Sequence, residues 1–191
     1  MVIVEEIWAT LAMALPSFFS IYYILTKPST QLILVGTASI IHYPWSACLH
    51  LCRAFSSPEV QRVFFYKMDI AFQHIYCVMV RHAFVIRLSY IEWLFHLFSI
   101  FHVWQFNPIQ SPQSKDIVSF MAGLGLGICV FSMYDVNKIY FGSSVVFGGI
   151  GFFIHIRRLF GNSLSLFFHI LLSVPHYCVL MCILDNERNH K

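Results

Sequence analysis

Residues 31–52 read QLILVGTASIIHYPWSACLHLC, and this stretch contains no Asp, Glu, Lys or Arg. A helix needs about 20 mostly apolar residues to cross the hydrocarbon core of a bilayer. The stretch therefore predicts a transmembrane helix. It also places Ser46 and His50 four residues apart, so that a hydroxyl and an imidazole lie one turn apart on the same helix face. The role of Ser46 and His50 depends on where the other polar residues of the chain lie.

The composition of the whole chain agrees with a membrane protein. Of 191 residues, 58% are hydrophobic and 11% are charged, whereas soluble domains average about 45–50% apolar and about 25% charged residues. The net charge of +3 gives no indication of nucleic-acid binding. The length fits one domain, residues 1–191.

Six further segments have the same apolar character and are separated by short polar or proline-containing breaks. The chain is therefore expected to be all-α, an integral membrane bundle of seven transmembrane helices that crosses the bilayer repeatedly. The N-terminal MVIVEEIW is acidic and no small-residue cleavage site follows, so the first helix is expected to be retained rather than removed as a signal peptide. The predicted helices are 7–25, 31–52, 64–86, 88–106, 117–135, 139–156 and 163–184.

The orientation of these helices is not determined by charge. If the side that holds the N-terminus is named side A, lysine and arginine divide six and six between side A and the opposite side B. The positive-inside rule therefore does not say which side is cytosolic. The sequence also does not name the membrane or the oligomeric state.

Polar residues from five predicted helices fall at a similar depth near side A. Ionisable side chains inside a membrane are costly, usually face the bundle interior and are functional candidates by default. These residues are Ser46, His50, Asp69, His102, His155 and His169.

A zinc site is the chemistry that such a group suits. Imidazoles on facing helices can bind one ion, and a catalytic zinc has three protein ligands and an open position for water. A nearby carboxylate can hold that water or accept its proton. The alternative is that each residue only packs, since Ser46 can bond its own helix backbone and Asp69 can cap a helix N-terminus. Spacing alone leaves both interpretations open.

Several other residues are interpreted as structural. Arg81 and Glu92 are expected to pair across a short hairpin, and the Gly123–Gly127 spacing is typical of close helix packing in membranes. The cysteine pairs at 48 and 52 and at 178 and 182 are interpreted as packing residues. The histidines interpreted as structural are His42, His74, His82 and His96.

Residues 46–69, SACLHLCRAFSSPEVQRVFFYKMD, resemble the progestin and adipoQ receptor family, which includes the bacterial haemolysin III-like proteins. That family has an S-x-x-x-H at the end of a core helix, a short basic loop, and an aspartate preceded by Lys or Arg. Ser46, His50, Lys67 and Asp69 match this pattern. The wider CREST superfamily also contains alkaline ceramidases, lipid-remodelling factors of GPI anchors and myomaker-like proteins.

The last helix matches the family motif only in part. The family commonly has S-H-x-x-F-H, and residues 164–169 read LSLFFH, so Phe168 and His169 match while Ser165 replaces a histidine. The resemblance implies that this histidine would be one of three zinc ligands. Asp69, His155 or His102 could supply the third ligand instead. His176 is about 10.5 Å beyond His169 along a helix, which is too far unless Pro175 distorts it.

The resemblance implies a zinc-dependent intramembrane hydrolase of a lipid amide or ester bond, similar to a ceramidase. His50 and His169 would hold zinc, Asp69 would orient water or accept its proton, and Ser46 would position the water or the substrate carbonyl. The expected partners are the bilayer and a membrane lipid substrate or ligand. The alternative is a catalytically inactive receptor or scaffold that has lost a zinc ligand. A channel or transporter is disfavoured because no pair of matching broken helices is present.

Overall fold

The protein is all-helical over the part of the chain that the computed structural model describes, residues 2–84, 89–106, 112–157 and 164–189. Those ranges contain no β-strand. Every predicted helix is present. The helices are α1 Val2–Thr26, α2 Thr30–Ala54, α3 Glu59–Phe84, α4 Tyr90–Gln105, α5 Pro112–Phe131, α6 Lys138–Arg157 and α7 Leu164–Asn189.

Three of the helices in the described ranges are long and apolar enough to cross a membrane: Ile3–Thr26, Thr30–Ala54 and Leu166–Arg188. A shorter apolar segment, Asp116–Phe131, lies in α5. This finding is consistent with the predicted membrane protein. The prediction that all seven helices cross stays a prediction.

Two helix bounds differ from the predicted ones in informative ways. α3 begins at Glu59 rather than at residue 64, so Asp69 lies about 2.8 turns inside the helix. α5 ends at Phe131 rather than at residue 135. The chain turns there because the N–H groups of Ser132 and Met133 donate to carbonyls three residues back, and the side chain of Asn137 accepts from the first N–H groups of α6.

α1 and α2 form an antiparallel pair that packs against α3 and α7. α1 contacts both α2 and α7, α2 contacts α3, and α7 contacts α6. α4 and α5 pack on α3. The start of α1, the end of α2 and the starts of α3 and α7 therefore meet at one end of the bundle, which corresponds to side A.

The main hydrophobic core lies at the opposite end of the bundle. It joins the start of α2 to the ends of α3, α5 and α7. Apolar burial of this kind stabilises packing without demanding hydrogen-bond partners. Its buried members are Leu32, Val35, Cys77, Val80, Ala83, Cys129, Met133, Cys178, Val179, Leu180, Cys182, Ile183 and Leu184.

Glycine at position 36 allows a close approach of α1 and α2. A Cβ atom at Gly36 would lie 2.6 Å from Ile24 Cδ1 and 3.2 Å from Ser20 Cβ. The two glycines of the predicted pair in α5 differ in the space around them. A Cβ at Gly123 would lie 2.9 Å from the Phe152 ring, whereas a Cβ at Gly127 would meet nothing within 4 Å.

The predicted ion pair between α3 and α4 is confirmed. Arg81 Nε donates to Glu92 Oε1 at 2.7 Å, and Arg81 Nη1 donates to Ser132 Oγ at 3.1 Å. Glu92 also accepts from the backbone N–H of Ser89, which completes a capping box at the start of α4. The ion pair and the hydrogen bond of Arg81 therefore connect α3 to α4 and to the turn that follows α5.

Candidate functional site

The side-A end of α2 contributes three polar side chains on successive turns. His42, Ser46 and His50 are each four residues apart, which places them along one face of the helix. Ser46 and His50 are almost completely buried, with 1% and 3% of their surface exposed. Because buried polar groups are costly without hydrogen bonds, the partners of these side chains define the site.

A row of three side chains crosses this end of the bundle from α1 through α2 to α7. Glu6 Oε2 lies 2.5 Å from His50 Nδ1, and His50 Nε2 lies 3.0 Å from His169 Nε2. The two imidazole rings are nearly perpendicular, at 88°, with centroids 5.0 Å apart. Two histidines from different helices thus point the same type of ring nitrogen at each other.

The Glu6 carboxylate determines how His50 is bonded. An ionised carboxylate only accepts hydrogen bonds, so His50 Nδ1 is the donor to Glu6. The neutral form of His50 then has a lone pair on Nε2, the atom that faces His169.

A second group lies beside this row and centres on Asp69. Asp69 Oδ1 lies 2.9 Å from His42 Nε2, and the Ser46 hydroxyl donates to the same carboxylate. Asp69 is also close enough to His50 and His169 to interact electrostatically with both. Its position well inside α3 excludes a helix-capping role. The two groups therefore form one polar cluster.

Four residues predicted for the site, Ser46, His50, Asp69 and His169, belong to this cluster. The two other histidines considered as ligands have aromatic surroundings. His102 packs on the rings of Phe98 and Phe106, with centroids 6.1 and 4.6 Å away. His155 packs on Phe168 at 4.7 Å. The side chain of Ser165 lies outside the described residues, so its position is not part of this geometry.

Two members of the cluster, Glu6 and His42, were not predicted. His42 was interpreted as structural, although its spacing of eight residues from His50 places it on the same face of α2. Glu6 lies in a pair of glutamates at the start of an otherwise apolar helix. A carboxylate in that position is a recognisable signal, but only the packing of α1 on α2 identifies its partner.

The donor set fits zinc in part. Among the described residues, no group of three or more His, Cys, Asp or Glu side chains is arranged to hold a metal ion. Two facing imidazole nitrogens are nevertheless the donors that zinc prefers, at Zn–N distances of about 2.0–2.1 Å. The Asp69 carboxylate interacts electrostatically with both histidines. Among the described residues the arrangement therefore brings two imidazole nitrogens face to face and adds no third donor to the same group.

Deeper in the bundle, His176 has a separate and fully bonded environment. Tyr76 Oη lies 2.7 Å from His176 Nδ1, and Ser20 Oγ lies 2.9 Å from His176 Nε2. Ser20 donates its own hydrogen to the carbonyl of Pro16 at 2.8 Å. His176 therefore donates from Nε2 and accepts at Nδ1. This network joins α1, α3 and α7 and is structural, so His176 does not supply the third ligand.

Comparisons of the chain with protein-family models, with curated proteins and with solved structures found no match. The resemblance to the CREST superfamily therefore depends on the motif residues in α2, α3 and α7.

Proposed function

We propose that this protein is a zinc-dependent intramembrane hydrolase that cleaves an amide or ester bond of a lipid, with the seven-span topology and site of the CREST superfamily. The observation that carries the proposal is the 3.0 Å approach of His50 Nε2 and His169 Nε2, beside a carboxylate that interacts with both rings. Two imidazoles with a nearby carboxylate are typical of catalytic zinc sites.

Each residue of the cluster has a distinct role in this proposal. In this proposal His50 and His169 would hold zinc, and Asp69 would complete the ligand set or act on water. Bound zinc supplies a Lewis acid that polarises a carbonyl and makes water acidic near neutral pH. Asp69 accepts the proton of the attacking water. His42 holds one oxygen of Asp69, and Ser46 donates to the same carboxylate, so both fix its orientation.

The apolar outer surface supports a location within the bilayer. α1 exposes Phe18 and Leu25, which are 64% and 77% accessible, and α4 exposes Leu94 and Phe101, which are 65% and 61% accessible. Such surfaces are unfavourable in water. α4 extends about 24 Å at 1.5 Å per residue, somewhat less than the roughly 30 Å hydrocarbon core. A lipid substrate would reach the site laterally, since its acyl chains already lie in the bilayer.

Metal content is the first test of this proposal. The protein is purified in mild detergent without an affinity histidine tag, and bound zinc is measured by elemental analysis for the wild type, His50→Ala and His169→Ala. About one zinc per chain, lost in both variants, supports the proposal. His176→Ala is the matched control, because it removes a histidine from the same helix two turns away and should retain zinc in the folded fraction.

Activity is the second test. Zinc-loaded protein is assayed against a panel of lipid amides and esters in mixed micelles, with Asp69→Asn as the inactive control. Hydrolysis by the wild type that is absent in Asp69→Asn supports the proposal. A zinc-free wild type that is folded and inactive contradicts it.

The second candidate function is a catalytically inactive membrane receptor or scaffold. Ser165 at the position of a family histidine favours it, as does the absence of a three-donor metal group among the described residues. In that case Asp69→Asn would leave function unchanged. A chain that folds without zinc but binds a lipid saturably would support this alternative.

A further inference from the structure

We infer that a group of tyrosines at side B, together with Asp185, binds the quaternary ammonium headgroup of a choline lipid. The tyrosines belong to three helices: Tyr22 and Tyr23 to α1, Tyr140 to α6 and Tyr177 to α7. These five residues are the side-B tyrosine site. The site adjoins the main hydrophobic core, at the end of the bundle opposite the polar cluster. The inference therefore does not depend on the proposed hydrolase.

Tyr177 connects the aromatic rings of α1 to α7. Its hydroxyl is hydrogen-bonded to the hydroxyl of Tyr23, and the two ring centroids are 6.4 Å apart with planes inclined at 51°. The rings of Tyr22 and Tyr23 meet edge to face, with centroids 5.1 Å apart and an angle of 78°. Phe19 contacts the Tyr177 ring in the same manner at 5.5 Å. Because these rings are inclined and do not stack, their faces are not paired with one another.

Asp185 supplies a negative charge beside these rings. The residue is half-buried and interacts electrostatically with Tyr140, which also interacts with Tyr23 and Tyr177. Asp185 Oδ2 accepts a hydrogen bond from Asn137 Nδ2 at 2.9 Å. Asn137 is a neutral donor, so this bond leaves the charge of the carboxylate uncompensated.

The basic side chains nearby do not compensate that charge. Lys138 Nζ lies over the ring of Tyr134, 5.7 Å from its centroid. Arg188, three residues after Asp185 on α7, is exposed. Among the described residues, neither of them forms an ion pair with Asp185. Because a carboxylate in a membrane helix is costly without a partner, a cationic ligand at this position would be stabilising.

The combination of aromatic faces and one carboxylate suits a quaternary ammonium group. A cation within about 6 Å of a ring centroid is attracted to the ring face, and groups of such rings recognise choline. The choline nitrogen carries methyl groups and no N–H, so it binds through aromatic contact and charge. A primary ammonium, as in ethanolamine or lysine, has three N–H donors and needs hydrogen-bond acceptors around it.

The position of the site favours a lipid as the source of that group. α1 and α7 are two of the helices that are long and apolar enough to cross a membrane. Tyr22 is 60% exposed and lies four residues before the end of α1, about 6 Å along the helix. Tyrosine is enriched at this level of membrane proteins, beside the lipid headgroups. Such enrichment accounts for single tyrosines, but not for four that meet beside a carboxylate.

The test compares two lipids that differ only in the headgroup nitrogen. The detergent-solubilised protein is titrated with dioleoyl phosphatidylcholine or dioleoyl phosphatidylethanolamine, and native mass spectrometry gives the dissociation constants. We expect the wild type to bind the choline lipid more tightly. Tyr22→Leu should weaken that binding about 2–30-fold, the range for loss of one cation–π contact, and should leave binding of the ethanolamine lipid unchanged. Tyr22→Phe keeps the ring and should keep the affinity, whereas Asp185→Asn should weaken binding.

Tyr90→Leu is the matched control. Tyr90 is 89% exposed at the start of α4, on the same side of the bundle, and is not part of the site. Its substitution should change the affinity for the choline lipid less than twofold. Equal affinity of the wild type for the two lipids, or equal losses in Tyr22→Leu and Tyr90→Leu, would overturn the inference. Phosphocholine that binds as tightly as the lipid would contradict the assignment of the ligand as a lipid.

Discussion

At the scale of single residues, the two histidines of α7 should respond differently to substitution. We expect His176→Phe to destabilise the protein by about 1–3 kcal/mol, because it leaves the buried Tyr76 hydroxyl without its partner. His169→Phe should instead abolish zinc binding, since His169 Nε2 faces His50. Thermal unfolding in detergent and zinc content per folded chain measure the two effects.

The comparison is informative because the two positions share a helix and a residue type. Loss of zinc in His176→Phe while it stays folded would show that the deeper network also supports the metal site. Retention of zinc in His169→Phe would contradict the assignment of His169 as a ligand.

Asp69 gives the second prediction at this scale. Asp69→Asn keeps a side chain that can still bond His42 and Ser46, but it removes the proton acceptor. We expect kcat/KM for lipid hydrolysis to fall about 10²–10⁴-fold, the usual contribution of a general base. A variant that keeps more than a tenth of wild-type activity would exclude this role.

The residues of the cluster differ in how far the sequence could predict them. Ser46, His50 and Asp69 belong to a local motif, and the spacing along one helix face is fixed by helix geometry. Glu6 is joined to His50 by packing of α1 on α2. A contact between residues 44 positions apart depends on the packing angle and rotation of two helices, which no local pattern specifies.

At the scale of helices, the close approach of α1 and α2 at Gly36 can be tested by enlargement. Gly36→Val should destabilise the protein by about 1–3 kcal/mol, because the added atoms overlap Ile24 and approach Ser20. Gly127→Val is the matched control, since a Cβ there meets nothing within 4 Å. Thermal unfolding of both variants measures the difference. Equal unfolding midpoints of the two variants would show that α1 and α2 shift to accommodate the larger side chain without loss of stability.

Helix bounds were predicted less well than helix number. The predicted fifth helix extends to residue 135, but the chain leaves the helix after Phe131. A turn follows, and the side chain of Asn137 then caps α6. A hydropathy pattern does not show where a polar side chain hydrogen-bonds to the backbone in place of a helical hydrogen bond.

At the scale of the whole molecule, seven crossings require the two termini to lie on opposite sides of the membrane. We expect a short epitope at the N-terminus and one at the C-terminus to show opposite protection when sealed vesicles are treated with protease. The reason is that a chain that crosses the membrane an odd number of times ends on the side opposite to the one where it began. A matched pair of vesicle preparations, intact and detergent-permeabilised, controls for tag accessibility. Equal protection of both tags would exclude seven crossings.

The contact between His50 and His169 has a consequence for biosynthesis. The two residues are 119 positions apart, and at translation rates of about 5–20 residues per second His169 is made roughly 6 to 24 s after His50. During that interval α2 must sit in the membrane, or beside the insertion machinery, with its imidazole partner still missing. The cluster is complete only when the last helix arrives, so a nascent chain in which these two rings have met is one whose translation has passed His169 near the start of α7.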